Sequence, residues 1–324
     1  MLSGICGLFK SKVTLTGKGT LIRRNMFNVE NSMNQTGAEC SSNEGFPPLI
    51  IKGEIKPGNY LLDFYDSSQF LSGLLTAMPV FESDSEITVV NLQSKPYISM
   101  TLEILSRFGI KIINNNFQTF YIPGNQTYRA ADVWIEGDWS GAAFMFVAGA
   151  IAGRAEISEL NPESNQADMR IIEALRISGA NIEFINDKYL ISKSDLNGFS
   201  FDCSDCPDLF PPLAVLACGC RGLSELIGVN RLRNKESDRA EALVAELGKI
   251  GAKIRIEKNS LIIDGNERLT GGDADSRGDH RIAMALAVAG LISENGVDIN
   301  NPDCVNKSYP GFFQELTYNS FILL

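Results

Sequence analysis

Apolar positions in this chain fall into two kinds of run. Continuous stretches such as 141–153, 213–220 and 282–291 carry almost no polar side chain, whereas the stretch 235–250 alternates charged and apolar residues at helical spacing. The continuous stretches are too short to cross a bilayer, and helices that are apolar all round are buried ones. The stretch 235–250 predicts an amphipathic helix with Lys235 and Arg239 four residues apart on one face of its first turn. Short apolar segments at 12–15, 87–90, 155–158, 223–227 and 297–299 read as strands between the helices. The segment 1–9 is apolar and reads like the inside of a helix; it has no basic leader or small-residue cleavage site, so it does not resemble a signal peptide.

These elements recur with a fixed period. Gly37, Gly109, Gly179 and Gly251 follow amphipathic stretches at separations of 72, 70 and 72, and Ala follows three of them, so each reads as a helix C-terminal glycine. Helix openings at Ser67, Asp138, Asp208 and Asp279 are separated by 71, 70 and 71. Second helices open at Ser94-Lys95-Pro96-Tyr97, at Asn165-Gln166-Ala167-Asp168, at the Lys235 run and at Lys307-Ser308-Tyr309-Pro310. The order is therefore that of an α/β fold built from repeated βαβαββ units, which present equivalent helix ends on one side of a shared core. Stepping back one period from Ser67 places the first opening helix at about position −4, so the chain reads as beginning inside a repeat.

Length and composition narrow the function. At 324 residues and 44% hydrophobic content the chain suits two domains with a sizeable core, and its net charge of −10 argues against a nucleic-acid surface. Any anion-binding site must then be a local concentration of cations. Seven cysteines, an odd number, point to a reducing compartment rather than to disulfides. Cys203 and Cys206 form a CxxC that admits a metal, but Cys218 and Cys220 lie in an apolar run as packing thiols, and His280 is the only histidine.

The candidate chemistry lies in three charged runs: Lys235-Glu236-Ser237-Asp238-Arg239, Asp279-His280-Arg281 and Lys307-Ser308-Tyr309. Basic residues in a helix first turn oppose the helix dipole, so either a bound anion or a salt-bridged, solvated helix start accounts for Lys235 and Arg239. Asp208 reads either as a cap of its helix or as a chemical group. His280 likewise reads as a cap or a ligand contact, and Ser67 and Ser68 as caps or as phosphate donors.

Across nearly its whole length the chain resembles the 5-enolpyruvylshikimate-3-phosphate synthase family, through Ser67-Ser68-Gln69, Ser94-Lys95-Pro96-Tyr97, Pro207-Asp208, the Lys235–Arg239 run, Asp279-His280-Arg281-Ile282-Ala283-Met284-Ala285 and Lys307-Ser308-Tyr309-Pro310. The resemblance implies transfer of the enolpyruvyl group of phosphoenolpyruvate to the 5-hydroxyl of shikimate 3-phosphate with release of phosphate, on the route to aromatic amino acids. It implies a cytoplasmic monomer without metal or organic cofactor, its partners being the two small substrates rather than nucleic acid or membrane. It also implies two lobes of three units each: here an incomplete N-terminal lobe over 1–136, a hinge near Glu136-Gly137, and a C-terminal lobe over 137–324. Carried over residue by residue, Ser67, Ser68, Gln69, Ser94, Tyr97, Asp208, Arg231 and Lys235 would hold shikimate 3-phosphate. Arg24, Gln69, Arg239, His280, Arg281 and Lys307 would hold phosphoenolpyruvate. Asp208 would accept the hydroxyl proton, and Glu236 with Lys235 would serve the methylene carbon.

The chain departs from the family in places. Arg231 stands where many members have Asn, and Asn25 follows Arg24 where Pro is common. The family's early Lys-Ser segment and its Asn-Ala-Gly-Thr loop have no counterpart before Lys12. That departure implies little or no turnover by the chain as written, and leaves as the competing reading a non-catalytic remnant that binds phosphate-bearing ligands weakly or nothing at all. A nucleotide-sugar enolpyruvyl transferase fits less well, since its reactive loop cysteine has no counterpart.

Overall fold

Helices that are apolar on every side and helices with one apolar face take different places in the fold, as their sequences dictate. A computed structural model describes residues 1–65, 67–233, 235–266 and 268–318 and divides the chain into two compact units, Met1–Trp134 and Ile135–Leu324. The first contains α1 (Leu2–Cys6), β1 (Val13–Leu15), α2 (Phe27–Gln35), β2 (Glu39–Asn43), β3 (Phe46–Lys52), β4 (Asn59–Asp63), α3 (Gln69–Ala77), β5 (Ser85–Val90), α4 (Lys95–Arg107), β6 (Ile113–Asn115) and β7 (Thr119–Ile122). The second contains α5 (Trp139–Ala152), β8 (Arg154–Ile157), α6 (Ile171–Ser178), β9 (Asn181–Ile185), β10 (Lys188–Ser192), β11 (Ser200–Asp202), α7 (Phe210–Cys218) and β12 (Arg221–Ile227). It continues with α8 (Arg239–Lys249), β13 (Lys253–Glu257), β14 (Ser260–Asn266), β15 (Gly272–Asp275), α9 (His280–Gly290), β16 (Val297–Asn300) and α10 (Phe312–Tyr318).

The repeat is visible in the strand pairing. Sheet order β4-β5-β7-β6 in the first unit equals β11-β12-β14-β13 in the second, each with one parallel pair followed by antiparallel neighbours. The sheets β1-β3-β2 and β8-β10-β9 reproduce that order without its first strand, and β15-β16 is the parallel pair alone. In the second unit the apolar helices α5, α7 and α9 pack against one another as its centre, with Trp139, Phe144, Phe146, Phe210 and Met284 buried there. The amphipathic helix α6 turns Glu173 and Arg176 outward, whereas α8 exposes Glu241 and Lys249 but buries Arg239 and Glu246.

All four periodic glycines adopt the left-handed conformation that ends a helix, with φ of 95° at Gly37, 82° at Gly109, 90° at Gly179 and 100° at Gly251. An L side chain there is strained by about 1–2 kcal/mol. The surroundings differ: a Cβ on Gly179 would meet nothing nearer than 3.5 Å, whereas one on Gly251 would lie 2.8 Å from Thr270 Oγ1 and 3.0 Å from its backbone nitrogen. Gly251→Ala should therefore destabilise the chain by about 1–3 kcal/mol and by more than Gly179→Ala. Urea denaturation of the two variants compares them, and equal midpoints would remove Thr270 from the explanation.

Two sequence expectations need correcting. The helix read as opening at Lys307 begins only at Phe312, Lys307 itself ending the 3₁₀ turn Pro302–Lys307. The helix expected over 235–250 begins at Arg239, and Lys235, Glu236 and Ser237 lie in the loop before it. Asp238 is the cap, its Oδ1 accepting from Glu241 N–H at 3.3 Å, which satisfies one of the free first-turn donors. The Lys235 and Arg239 side chains thus do not share a helical face; each faces Asp208.

Candidate functional site

Asp208, Asp279 and Glu236 gather around one guanidinium. Arg239, the first residue of α8, is only 1% exposed. Its Nε donates to Asp279 Oδ2 at 3.0 Å and its Nη2 to Asp279 Oδ1 at 3.2 Å, a forked pairing of planar groups. Nη1 donates to Asp208 Oδ1 at 2.7 Å, and Nη2 also donates to Glu236 Oε2 at 3.1 Å. Burial opposes the charge, but these three carboxylates hold the Arg239 guanidinium even more firmly protonated than usual. The expectation that Arg239 grips phosphoenolpyruvate directly meets this geometry: its donors go to carboxylates, which also balance the cation at the helix start in place of a bound anion.

Asp279 is wholly buried. It accepts from Ser237 Oγ at 3.2 Å and caps α9 by accepting from Arg281 N–H at 3.0 Å. His280 is therefore not the cap. Its ring is buried, its Nδ1 lies 3.7 Å from Asp279 Oδ1 without a hydrogen bond, and burial followed by the neighbouring Arg281 lowers its pKa to about 4, so it is neutral at pH 7.

Asp208, in a 3₁₀ turn (Pro207–Leu209) before α7, makes no side-chain cap bond. It faces cations instead: Arg239 on Oδ1 at 2.7 Å, Lys235 Nζ on Oδ1 at 3.7 Å, and Arg281 Nη2 on Oδ2 at 3.2 Å. Burial would raise its pKa, but Arg281, Lys235 and Arg239 outweigh it and hold the carboxyl well below the usual range. Lys235 is shifted downward, first by burial, with Arg239, Arg281 and Arg231 adding repulsion and Asp208 opposing them. Arg231, in the 3₁₀ turn Val229–Leu232, thus lies within electrostatic reach of Lys235. Lys307, half exposed, pairs with Glu236 Oε1, so Glu236 bridges Lys307 and Arg239.

Arg281 keeps capacity for a further partner. Only 11% of its side chain is exposed, Nη2 is spent on Asp208, and Nη1 is buried without a hydrogen-bond partner. Buried guanidinium nitrogens are almost always paired, so an unspent one marks where an acceptor belongs.

Sequence reading did not assign Asp168. This residue, in the 3₁₀ turn Ala167–Arg170 leading into α6, is 2% exposed; its Oδ2 accepts from Ser140 Oγ and its Oδ1 has no hydrogen-bond partner. Burial, followed by the charge of Asp208, raises its pKa to about 6, with Arg281 acting in the other direction. The signal was its place at the end of Asn165-Gln166-Ala167-Asp168, the segment read as the counterpart of those carrying Lys95, Lys235 and Lys307.

In the first unit, Ser67 and Ser68 precede α3, Gln69 N–H donates to Ser67 Oγ at 3.2 Å, and Ser68 is buried while Ser67 and Gln69 are exposed. Ser94 opens α4 in a left-handed conformation with φ of 55°, and Tyr97 is half-buried one turn on. The Ser72 and Thr101 hydroxyls, 2.7 Å apart, tie α3 to α4, so these two helix openings belong to neighbouring helices. Arg24 follows the 3₁₀ turn Gly19–Arg23, which packs on β3 in the other sheet of that unit.

A family model described as EPSP synthase (3-phosphoshikimate 1-carboxyvinyltransferase) matches residues 1–316. A 3-phosphoshikimate 1-carboxyvinyltransferase of Clostridium novyi (strain NT) is 39% identical over 307 residues, covering 94% of this chain and 71% of the relative. The protein of the same name from Clostridium perfringens (strain SM101 / Type A) is 41% identical over 315 residues, 97% of this chain and 74% of the relative. Among solved structures, the EPSP synthase of Acinetobacter baumannii superposes with a TM-score of 0.81 at 26% identity, covering 98% of this chain and 76% of that one.

Proposed function

The chain belongs to the EPSP synthase family, and from that premise we propose that the carboxylate and cation cluster of its second unit binds phosphoenolpyruvate and serves enolpyruvyl transfer to shikimate 3-phosphate. The observation that carries the proposal is the unspent, buried Nη1 of Arg281 beside Asp208. A carboxylate or phosphate oxygen placed there would complete the guanidinium, with Lys307 at the half-exposed edge as a second cation.

Arg239 acts in this reading as a positioning residue. It fixes Asp208, Glu236 and Asp279 in one arrangement and leaves Arg281 and Lys307 to the ligand. Proton traffic then follows from charge. While three cations face Asp208 it is a weak proton acceptor; a ligand anion that draws Arg281 away lifts its basicity toward what the 5-hydroxyl proton requires. As the 5-oxygen bonds to the enolpyruvyl carbon, Asp208 accepts the hydroxyl proton and the methylene carbon gains one from Lys235, whose lowered pKa suits it to give a proton up. When the bond to phosphate breaks, the methyl group loses a proton to the Lys235 and Glu236 pair, the proton held by Asp208 goes to the departing phosphate oxygen, and hydrogen phosphate leaves. The counterparts in the first unit, Ser67, Ser68, Gln69, Ser94 and Tyr97, are assigned to shikimate 3-phosphate on the family premise, as is Arg231 in the second; Arg24, in the first, is assigned to phosphoenolpyruvate.

Calorimetric titration with phosphoenolpyruvate tests the site. Arg281→Ala should weaken binding by about ten- to a hundredfold, the range for one charge-assisted contact. Unchanged affinity in that variant would sink the proposal. Phosphate release on adding both substrates measures how far the chain carries the family reaction.

A further inference from the structure

We infer that Asp168 takes up a proton when an anion docks on Arg281, and so acts as a positioning residue that keeps this guanidinium available to ligand. The inference rests on the proposed phosphoenolpyruvate site and deepens it. Its ground is the arrangement of charge. Lys235, Arg239, Arg281 and Lys307 pair with the carboxylates Asp208, Glu236 and Asp279, four cations against three, and Arg231 adds positive charge within reach of Lys235. An ionised Asp168 reduces this surplus, and a neutral Asp168 restores it.

The groups facing Asp168 come from each neighbouring element. Ser140, at the start of α5, donates to Oδ2; Asp138, before that helix, and Asp208, before α7, repel its charge; Arg281, on α9, attracts it. Oδ1 is buried and has no donor. An anion on Arg281 removes the attraction and adds repulsion. Asp208 remains ionised through that change because Arg239 and Lys235 still hold it. Asp168 has one hydroxyl to hold it, so the proton goes to Asp168, drawn from solvent. Its pKa, already about 6 in the ligand-free chain, places the event where a modest further rise crosses pH 7.

The probes are phosphoenolpyruvate and inorganic phosphate, titrated calorimetrically in buffers of different ionisation enthalpy at pH 7. The unsubstituted chain should take up roughly 0.5–1 proton more per ligand than Asp168→Asn, a variant that keeps the Ser140 partner and the shape of the side chain. Binding to the unsubstituted chain should weaken as pH rises from 6 to 8, because Asp168 is then increasingly ionised and repels the ligand; in the variant this component disappears. Ser140→Ala, which removes the one donor to the ionised form, should reduce proton uptake at pH 7 because more Asp168 is already neutral. A purely structural Asp168 would change affinity or stability and leave the proton count alone. Equal uptake in the unsubstituted chain and Asp168→Asn, with binding intact, would overturn the inference and leave the site standing; absence of binding by either probe would overturn both.

Discussion

Replacing Arg239 with methionine is expected to destabilise the chain by about 3–5 kcal/mol at pH 7, the largest stability effect of any single substitution outside the apolar core. The guanidinium is the shared partner of Asp279, Asp208 and Glu236, and Asp279 is wholly buried, so its removal leaves uncompensated negative charge in a low-dielectric setting. Breaking such a network costs more than the network contributes over a well-packed apolar substitute. The sign of the pH dependence follows. The Asp208 pKa is depressed in the folded chain, so this carboxylate stabilises the fold above its unfolded pKa, and that stability is lost as pH falls through its folded value. In the variant the carboxyl groups have lost that cation and protonate more readily, so its deficit should shrink on acidification toward pH 4, where protonated carboxyl groups no longer need the cation. Adding Asp279→Asn to Arg239→Met should restore part of the loss. Urea midpoints at pH 7 and pH 4.5 measure both effects; a deficit that does not depend on pH would assign the cost to lost packing.

The second expected result is a split between binding and turnover. Under conditions where the unsubstituted chain releases phosphate, Asp208→Asn should lower that rate by about 10²–10⁴-fold, the usual contribution of one acid or base group. Phosphoenolpyruvate binding should hold or tighten in the same variant, because Arg281 loses a competing carboxylate. If Asp208 were only a helix-start residue, both quantities would stay near their original values. Weakened binding together with weakened turnover would instead make Asp208 a scaffold for Arg281. Phosphate release and calorimetry on the same preparations distinguish the three outcomes.

Much of the architecture was legible from residues alone. The period of about 71 appears in four left-handed glycines and in one sheet order shared by both units, because steric demand at a helix end and burial on all sides are local properties of the sequence. The strands read at 87–90, 155–158, 223–227 and 297–299 lie within or beside β5, β8, β12 and β16 for the same reason. Helix boundaries were less legible. The 235–250 stretch has helical periodicity from its first residue, yet α8 begins at Arg239 because the Asp238 cap and the Arg239 pairings fix the preceding loop in another conformation.

Sequence by itself determined the mixed α/β repeat and the family, since these depend on spacing and identity. Only tertiary structure decided which charges meet. Asp138, Asp208 and Asp279 occupy equivalent slots, yet Asp138 and Asp279 cap their helices and Asp208 faces three cations. Arg239 and Arg281 looked alike as candidate ligands, but one is committed to carboxylates and the other keeps a buried donor unspent. Coulombic energy depends on separation and on exclusion of water, and residues 31 to 71 positions apart acquire both only when the helices of successive repeats pack together.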